Sequence, residues 1–152
     1  MTDTSHDIRT LNSLIATTID SVDGYRTSAT DVQNPRFAEM FTARASERSS
    51  VVEQLRAEVR RLGGNTEDSG SFLGKTHRLF EDLKAAITGN DEKAIINEVE
   101  RGEDYIKGKY EAALKSDILS GECRAVVEQA FRSVREGHDQ ISQIKHSMEA
   151  TS

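Results

Sequence analysis

The sequence predicts an all-α fold: four long helices in two antiparallel hairpins, with an extra short helix in the crossover between the hairpins. Turn-forming residues divide the 152 residues at four places, which are Asn34-Pro35, Gly63-Gly64, Gly89-Asn90 and Ser120-Gly121. Because Pro and Gly interrupt regular elements, the stretches between them read as single elements. Those stretches carry apolar residues at steps of three and four, which is typical of amphipathic helices, and none shows the alternation typical of strands.

The first predicted hairpin covers residues 6–32 and 35–62. The apolar stripe of its first helix comprises Leu11, Leu14, Ile15, Val22, Tyr25 and Ala29. The stripe of its second helix comprises Phe37, Phe41, Ala45, Val52, Leu55, Val59 and Leu62. Pro35 suits the first turn of a helix, Asn34 suits the N-cap before it, and Gly63 suits the C-terminal stop.

The second hairpin is predicted over residues 91–116 and 120–147, after a short helix over Phe72–Thr88. The stripe of its first helix comprises Ile95, Val99, Ile106, Tyr110 and Ala113. The stripe of its second helix comprises Cys123, Val127, Ala130, Phe131, Val134, Ile141 and either Ile144 or Met148. Short connections make each pair antiparallel, and a long crossover between the pairs is typical of a ferritin-like four-helix bundle. We expect one domain over residues 6–148, with flexible termini at 1–5 and 149–152.

Composition argues against several classes of function. The 26 acidic and 20 basic residues give a formal net charge of −6, which argues against nucleic-acid binding, and no polybasic segment suits a membrane surface. No apolar run approaches the ~20 residues that a membrane-spanning helix needs, and the polar start lacks the order of a secretion signal. The single cysteine, Cys123, excludes an intrachain disulfide. We expect a bacterial protein located in the cytoplasm.

Polar side chains fall on the inward face of each long helix. At about 100° per residue, Thr18, Arg48, Glu103 and His138 lie within the apolar arcs of their helices. Counting turns from the connections puts them at similar heights near the middle of the bundle. A buried guanidinium needs a carboxylate partner, because an isolated buried charge is very costly. We predict a buried ion pair between Arg48 and Glu103, with Thr18 and His138 as hydrogen-bonding neighbours, unless Arg48 extends outward to water.

Ferritin-like carboxylate proteins hold a di-iron centre inside the bundle. That centre takes one Glu from each of two helices and a Glu-x-x-His motif from each of the other two. Here the first helix presents Thr18, the last presents Arg135-Glu-Gly-His138, and Arg48 would fill the volume of the metal. The sequence therefore predicts no cofactor. The alternative is an iron or manganese site that uses, after rearrangement, Glu47, Glu100, Glu103 and His138.

Long stretches of the chain resemble a known family. They are LNSLIATTIDSVDGYR, ERSSVVEQLRAEVRRLGGNTEDSGS and HRLFEDLKAAITGNDEKAIINEVERGEDYIKGKYEAAL. The most specific elements are Asp23-Gly24-Tyr25, Leu62-Gly63-Gly64 followed by Asp68-Ser69-Gly70, and Glu100-Arg101-Gly102-Glu103-Asp104. From about Leu11 to Ile144 the chain resembles a family of small bacterial ferritin-like four-helix-bundle proteins of unknown function. The resemblance implies a ferritin-like fold without an agreed activity or cofactor, and it carries over no catalytic residue.

These observations predict a non-catalytic, ferritin-like bundle with a structural or interaction role, in which the di-iron site is lost. A connection with stress follows only by analogy with ferritin-like relatives. The apolar side of the short helix Phe72–Thr88 needs a cover, either its own bundle or the same helix of a second chain, and we expect a homodimer. A further hypothesis is a small-ligand site in a gap beside Gly102 and Gly137.

Overall fold

The computed structural model describes residues 4–66 and 75–150, and the side chains of these residues except those at 75–81. The described helices are α1 (Thr4–Asp31), α2 (Pro35–Arg61), α3 (Lys75–Thr88), α4 (Glu92–Leu114) and α5 (Gly121–Ala150). Since the described residues include no strand, the all-α prediction is confirmed. The bounds of the long helices differ from the predicted ones by at most three residues, at the end of α5.

The ends of the chain and of the short helix differ in detail from the prediction. Helix α1 begins at Thr4 and α5 ends at Ala150, so helix continues into both segments predicted as flexible termini. The predicted start of the short helix at Phe72 lies outside the described residues. Its described part, α3, ends at Thr88 as the sequence predicts.

Capping residues set both ends of α2. The Asn34 side chain accepts a hydrogen bond from the backbone N–H of Arg36 at 2.9 Å, as expected of an N-cap. Gly63 has a φ of +82°, a left-handed conformation that glycine adopts without steric cost. The N–H of Gly64 then bonds to the carbonyl of Val59 at 3.0 Å, and the chain leaves the helix. Asn34 and Gly63, which predict the two ends of α2 in the sequence, therefore also cap and terminate the helix in the structure.

Each long helix packs against two of the other three. Helix α1 contacts α2 and α4, and α5 also contacts α2 and α4, so α2 and α4 lie on a diagonal. Thr18 of α1 hydrogen-bonds to Tyr110 of α4, and Tyr25 of α1 hydrogen-bonds to Glu103 of α4. The second contact is later in α1 but earlier in α4 than the first. Helices α1 and α4 therefore run antiparallel. Side chains of α2 and α4 that meet must do so across the interior.

The buried apolar residues form two clusters. The first comprises Leu11, Leu14, Ile15, Val22, Val51, Val52, Leu55, Val59, Ile106, Tyr110, Leu119, Cys123, Val127, Ala130 and Val134. The second comprises Tyr25, Val32, Phe41, Ala45, Leu83, Ile87, Ile95, Ile96, Val99 and Ile141. Each long helix contributes to both clusters, so the break between them crosses the whole bundle.

The break between the clusters falls at a polar or small residue on all four long helices, and on α1 that residue is the buried Gly24. On α2 the break lies between Ala45 and Val51 and contains the buried Arg48. On α4 and α5 the corresponding intervals contain the buried Glu103 and Gly137. The core is therefore divided near mid-height by a layer that includes an arginine and a glutamate.

Helix α3 covers part of the seam between α1 and α4. Its Leu83 and Ile87 are buried in the second cluster, so this much of its apolar side is covered by its own bundle. The other apolar residues through which we predict a homodimer are Phe72, Leu73, Leu79 and Phe80, and their side chains lie outside the described part of the chain. The dimer therefore stays a prediction.

No helix within the described ranges has the length and apolar character needed to cross a membrane.

Candidate functional site

A buried ion pair lies at the centre of the molecule. Nη2 of Arg48 on α2 donates to Oε2 of Glu103 on α4 at 2.6 Å. The two side chains are 0% and 2% exposed. Because α2 and α4 are diagonal, the contact spans the interior of the bundle. A charge-assisted hydrogen bond of this length, shielded from water, is among the strong polar contacts available to a protein. We refer to these two residues as the central ion pair.

Two residues of α1 also hydrogen-bond to the central ion pair. The hydroxyl oxygen of Ser21 accepts a hydrogen bond from Nη1 of Arg48 at 2.8 Å. The Tyr25 hydroxyl donates a short hydrogen bond to Oε1 of Glu103, and its ring lies 5.9 Å from the guanidinium carbon. Nε of Arg48 has no acceptor among the described residues. Helices α1, α2 and α4 are therefore joined at this height by polar contacts.

Tyr25 and Arg48 keep their protonation states near neutral pH. Burial raises the pKa of Tyr25 well above its ordinary value, and the neighbouring Glu103 carboxylate raises it further. Burial alone would lower the pKa of Arg48, but Glu103 and Tyr25 outweigh it, so the pKa of Arg48 is raised. Tyr25 therefore stays a neutral phenol that donates to the carboxylate, and Arg48 stays a cation.

Helix α5 provides room for two arginines through a glycine. A Cβ at Gly137 would lie 2.5 Å from Nη2 of Arg48 and 3.1 Å from the guanidinium carbon of Arg44. Arg44, one turn before Arg48 on α2, donates to Glu47 at 2.7 Å and to Gln140 at 2.6 Å. The gap predicted beside Gly137 is therefore filled by guanidinium groups.

Thr18 is buried next to a different partner from the predicted one. Its hydroxyl donates to the carbonyl of Leu14 at 2.6 Å, so it accepts from the Tyr110 hydroxyl at 2.8 Å. Burial raises the pKa of Tyr110 to about 12. Thr18 therefore lies in a second buried polar contact between α1 and α4, and it does not hydrogen-bond to the central ion pair.

His138 also differs from its predicted place. Its side chain is 16% exposed, and its Nε2 lies 2.7 Å from Oδ1 of Asp104 on α4, so its partner there is Asp104 and not the central ion pair. The reason is helical geometry. Gly137 takes the inward position on α5, and one further residue turns the side chain by about 100° toward the seam with α4.

The side chains named for a metal alternative do not converge. They are Glu47, Glu100, Glu103 and His138. Glu47 pairs with Arg44 at 2.7 Å, and Glu100 pairs with Lys145 at 2.8 Å. Among the residues that the structure describes, no three His, Cys, Asp or Glu side chains are grouped to hold a metal ion. These residues do not fit the carboxylate-rich donor set of a di-iron centre.

Two members of the site were not predicted from the sequence as site residues. Tyr25 was assigned to the apolar stripe of its helix, but a tyrosine in such a stripe must find a partner for its hydroxyl. That requirement is the signal that could have identified it. Ser21 gave a weaker signal: it lies at the edge of the apolar stripe, seven residues after Leu14 and four before Tyr25, but serine is common on helix surfaces.

Comparison with known protein families matches most of this chain to one family. Residues 6–116 match the family described as a domain of unknown function (DUF2383). A comparison with curated proteins finds no match. The family description names no reaction or ligand, so a function must be argued from the geometry of this chain.

The central ion pair can be tested by comparing single and double substitutions. Glu103→Ala leaves a buried guanidinium without its carboxylate, and it should lower the free energy of unfolding by about 3–5 kcal/mol. The double variant Arg48→Met with Glu103→Leu removes both charges, so it should be more stable than Glu103→Ala. Its free energy of unfolding should lie within about 3 kcal/mol of the wild type, because the buried Tyr25 hydroxyl loses its acceptor. Urea denaturation measures both. A Glu103→Ala protein as stable as the wild type would mean that Arg48 reaches water.

The close approach at Gly137 gives a second test. Gly137→Ala should destabilise the protein by about 1–3 kcal/mol, because the methyl group displaces a guanidinium that is held by Glu103. Gly108→Ala on α4 is the matched control, since a Cβ there has no atom within 4 Å, and it should add up to about 1 kcal/mol of helix stability. Thermal unfolding compares the two variants. Changes of the same sign would contradict the packing described here.

Proposed function

We propose that this chain, which belongs to the DUF2383 family of domains of unknown function, is a non-catalytic, ferritin-like four-helix bundle. In this proposal the central ion pair stands where a metal-binding relative would hold a di-iron centre. The long crossover between α2 and α4, and antiparallel packing of α1 with α4, support the ferritin-like arrangement.

The central ion pair carries this proposal. A metal centre inside a bundle needs several carboxylates turned toward one point, with their charge balanced by the metal. Here the inward carboxylate of Glu103 is balanced by Arg48 and also accepts from Tyr25. Each of its oxygens therefore already accepts one hydrogen bond, and a metal ion at this point would meet a fixed positive charge.

The protonation states of the interior also support a non-catalytic role. General acid–base catalysis works best when a group titrates near the working pH. Tyr25 and Arg48 have raised pKa values, and burial raises the pKa of the Cys123 thiol to about 12, with the neighbouring Asp7 adding to the effect. Neither a phenolate nor a thiolate nucleophile is therefore available inside the bundle near neutral pH.

A structural or interaction role remains for the surface of the protein. We propose a homodimer through the short helix Phe72–Thr88, supported by its apolar pattern in the sequence. Leu83 and Ile87 are already buried in the same chain, so the dimer would use the other apolar residues of that helix. The free, buried Cys123 supports a cytoplasmic location, and a connection with stress rests on analogy with ferritin-like proteins alone.

Metal content tests the proposed loss of the di-iron site. Protein purified without chelators, then incubated with Fe²⁺ or Mn²⁺ and desalted, should hold far less than one metal ion per chain. The physical reason is that Arg48 occupies the charge position of the metal beside Glu103. Elemental analysis gives the stoichiometry. About two iron or manganese ions per chain would contradict the proposal and favour the oxidoreductase or metal-storage alternative.

Light scattering tests the proposed dimer. A chain of 16.9 kDa should scatter as a particle of twice that mass at micromolar concentration, since apolar surface on the short helix is covered by a second copy. Leu79→Glu should shift the particle to the mass of one chain. A wild-type protein that scatters with the mass of one chain at the same concentration would contradict the dimer.

A further inference from the structure

A small cavity lies beside the central ion pair, between α1, α3 and α4. Its volume is about 50 Å³. Ser21, Tyr25 and Glu103 line its polar end, and Leu83, Val99 and Ile106 contribute apolar walls. One part of the gap predicted beside Gly102 and Gly137 is therefore present, because Gly102 also lines this cavity.

The polar end of the cavity offers both a hydrogen-bond donor and acceptors. Ser21 accepts from Arg48, and its own hydroxyl proton has no acceptor within residues 4–66 and 82–150. Each oxygen of Glu103 accepts one hydrogen bond, from Tyr25 or from Arg48, and a carboxylate oxygen has two acceptor sites. A ligand group that both accepts and donates would satisfy both sides. A hydroxyl group is the smallest group with that property.

The charge of the site favours an uncharged ligand. Arg48 and Glu103 balance each other at 2.6 Å, and both are almost completely buried. A charged group added there would lose its hydration, and both carboxylates that line the cavity are already paired, Glu103 with Arg48 and Glu98 with Arg101 at 3.0 Å. The walls formed by Leu83, Val99 and Ile106 instead favour a short hydrocarbon chain.

The volume limits the size of the ligand. A water molecule needs about 10–15 Å³ of cavity on this scale, so 50 Å³ accommodates roughly three to five water-sized groups. We propose that this cavity is a binding site for a small uncharged alcohol of about two to four carbons, with its hydroxyl between Ser21 and Glu103. This ligand site goes beyond the proposed function, because alcohol binding depends neither on the metal content of the protein nor on its oligomeric state.

The chain offers a pair of matched variants to test the site. Gly102 lies on the face of α4 that lines the cavity, between Val99 and Ile106. A Cβ built on Gly102 has no atom within 4 Å. Gly108 lies on the same helix, is exposed, and has the same open space around its Cβ. Gly102→Leu should therefore fill the cavity, whereas Gly108→Leu changes helix propensity equally and leaves the cavity open.

The experiment is a titration of each ¹⁵N-labelled protein with 1-propanol, followed by amide chemical shifts. In the wild type we expect saturable shifts confined to residues around Ser21–Tyr25 and Val99–Ile106. Gly102→Leu should weaken the affinity at least tenfold, and Gly108→Leu should keep it within twofold. Propionate and propylammonium, which have the same chain length but carry a charge, should give no saturable shifts.

Several outcomes would overturn the assignment. Shifts that rise linearly with 1-propanol would mean a solvent effect in a cavity filled by water. Equal affinity in wild type and Gly102→Leu would put the binding elsewhere on the protein. Equal binding of propionate or propylammonium would remove the role of the hydroxyl between Ser21 and Glu103. None of these outcomes depends on metal content, so the failure of this assignment is distinguishable from that of the proposed function.

Discussion

A guanidinium and a carboxylate buried at the centre of a helical bundle must stay together, because either alone would leave an uncompensated charge in a medium of low dielectric constant. In this protein that requirement links Arg48 on α2 with Glu103 on α4, across the diagonal of the bundle. It fixes the relative height of two helices that otherwise have few contacts. It also demands a small residue opposite, which is Gly137 on α5, and a hydroxyl donor, which is Tyr25 on α1.

The position of the central ion pair also explains the division of the core. The two apolar clusters meet it from opposite ends, and on α2 and α4 the break between clusters contains the charged residue itself. Desolvation of two charges offsets much of their attraction, and Nε of Arg48 adds an unpaired donor. We infer that the pair specifies the register of the helices more than it stabilises them. A wrong register of α2 against α4 would separate the charges, and that cost selects the observed packing.

Helical periodicity in the sequence was sufficient to predict most of the fold and part of the site. Steps of three and four gave the long helices, and Asn34 and Gly63 gave the ends of α2, because capping and left-handed turns depend on local chemistry. The same periodicity put Arg48 and Glu103 on inner faces. It could not place His138, because an error of one residue turns a side chain by about 100°. The Tyr25–Glu103 and Ser21–Arg48 contacts depend on how whole helices pack, which no pattern within one helix specifies.

The guanidinium of Arg48 is held away from water by its burial between the helices. Nuclear magnetic resonance of protein labelled with ¹⁵N-arginine measures the rotation and proton exchange of each guanidinium group. We expect the Nη protons of Arg48 to give separate, slowly exchanging signals, while those of the exposed Arg60 are averaged and exchange rapidly. Averaged, rapidly exchanging signals from both arginines would contradict the central ion pair.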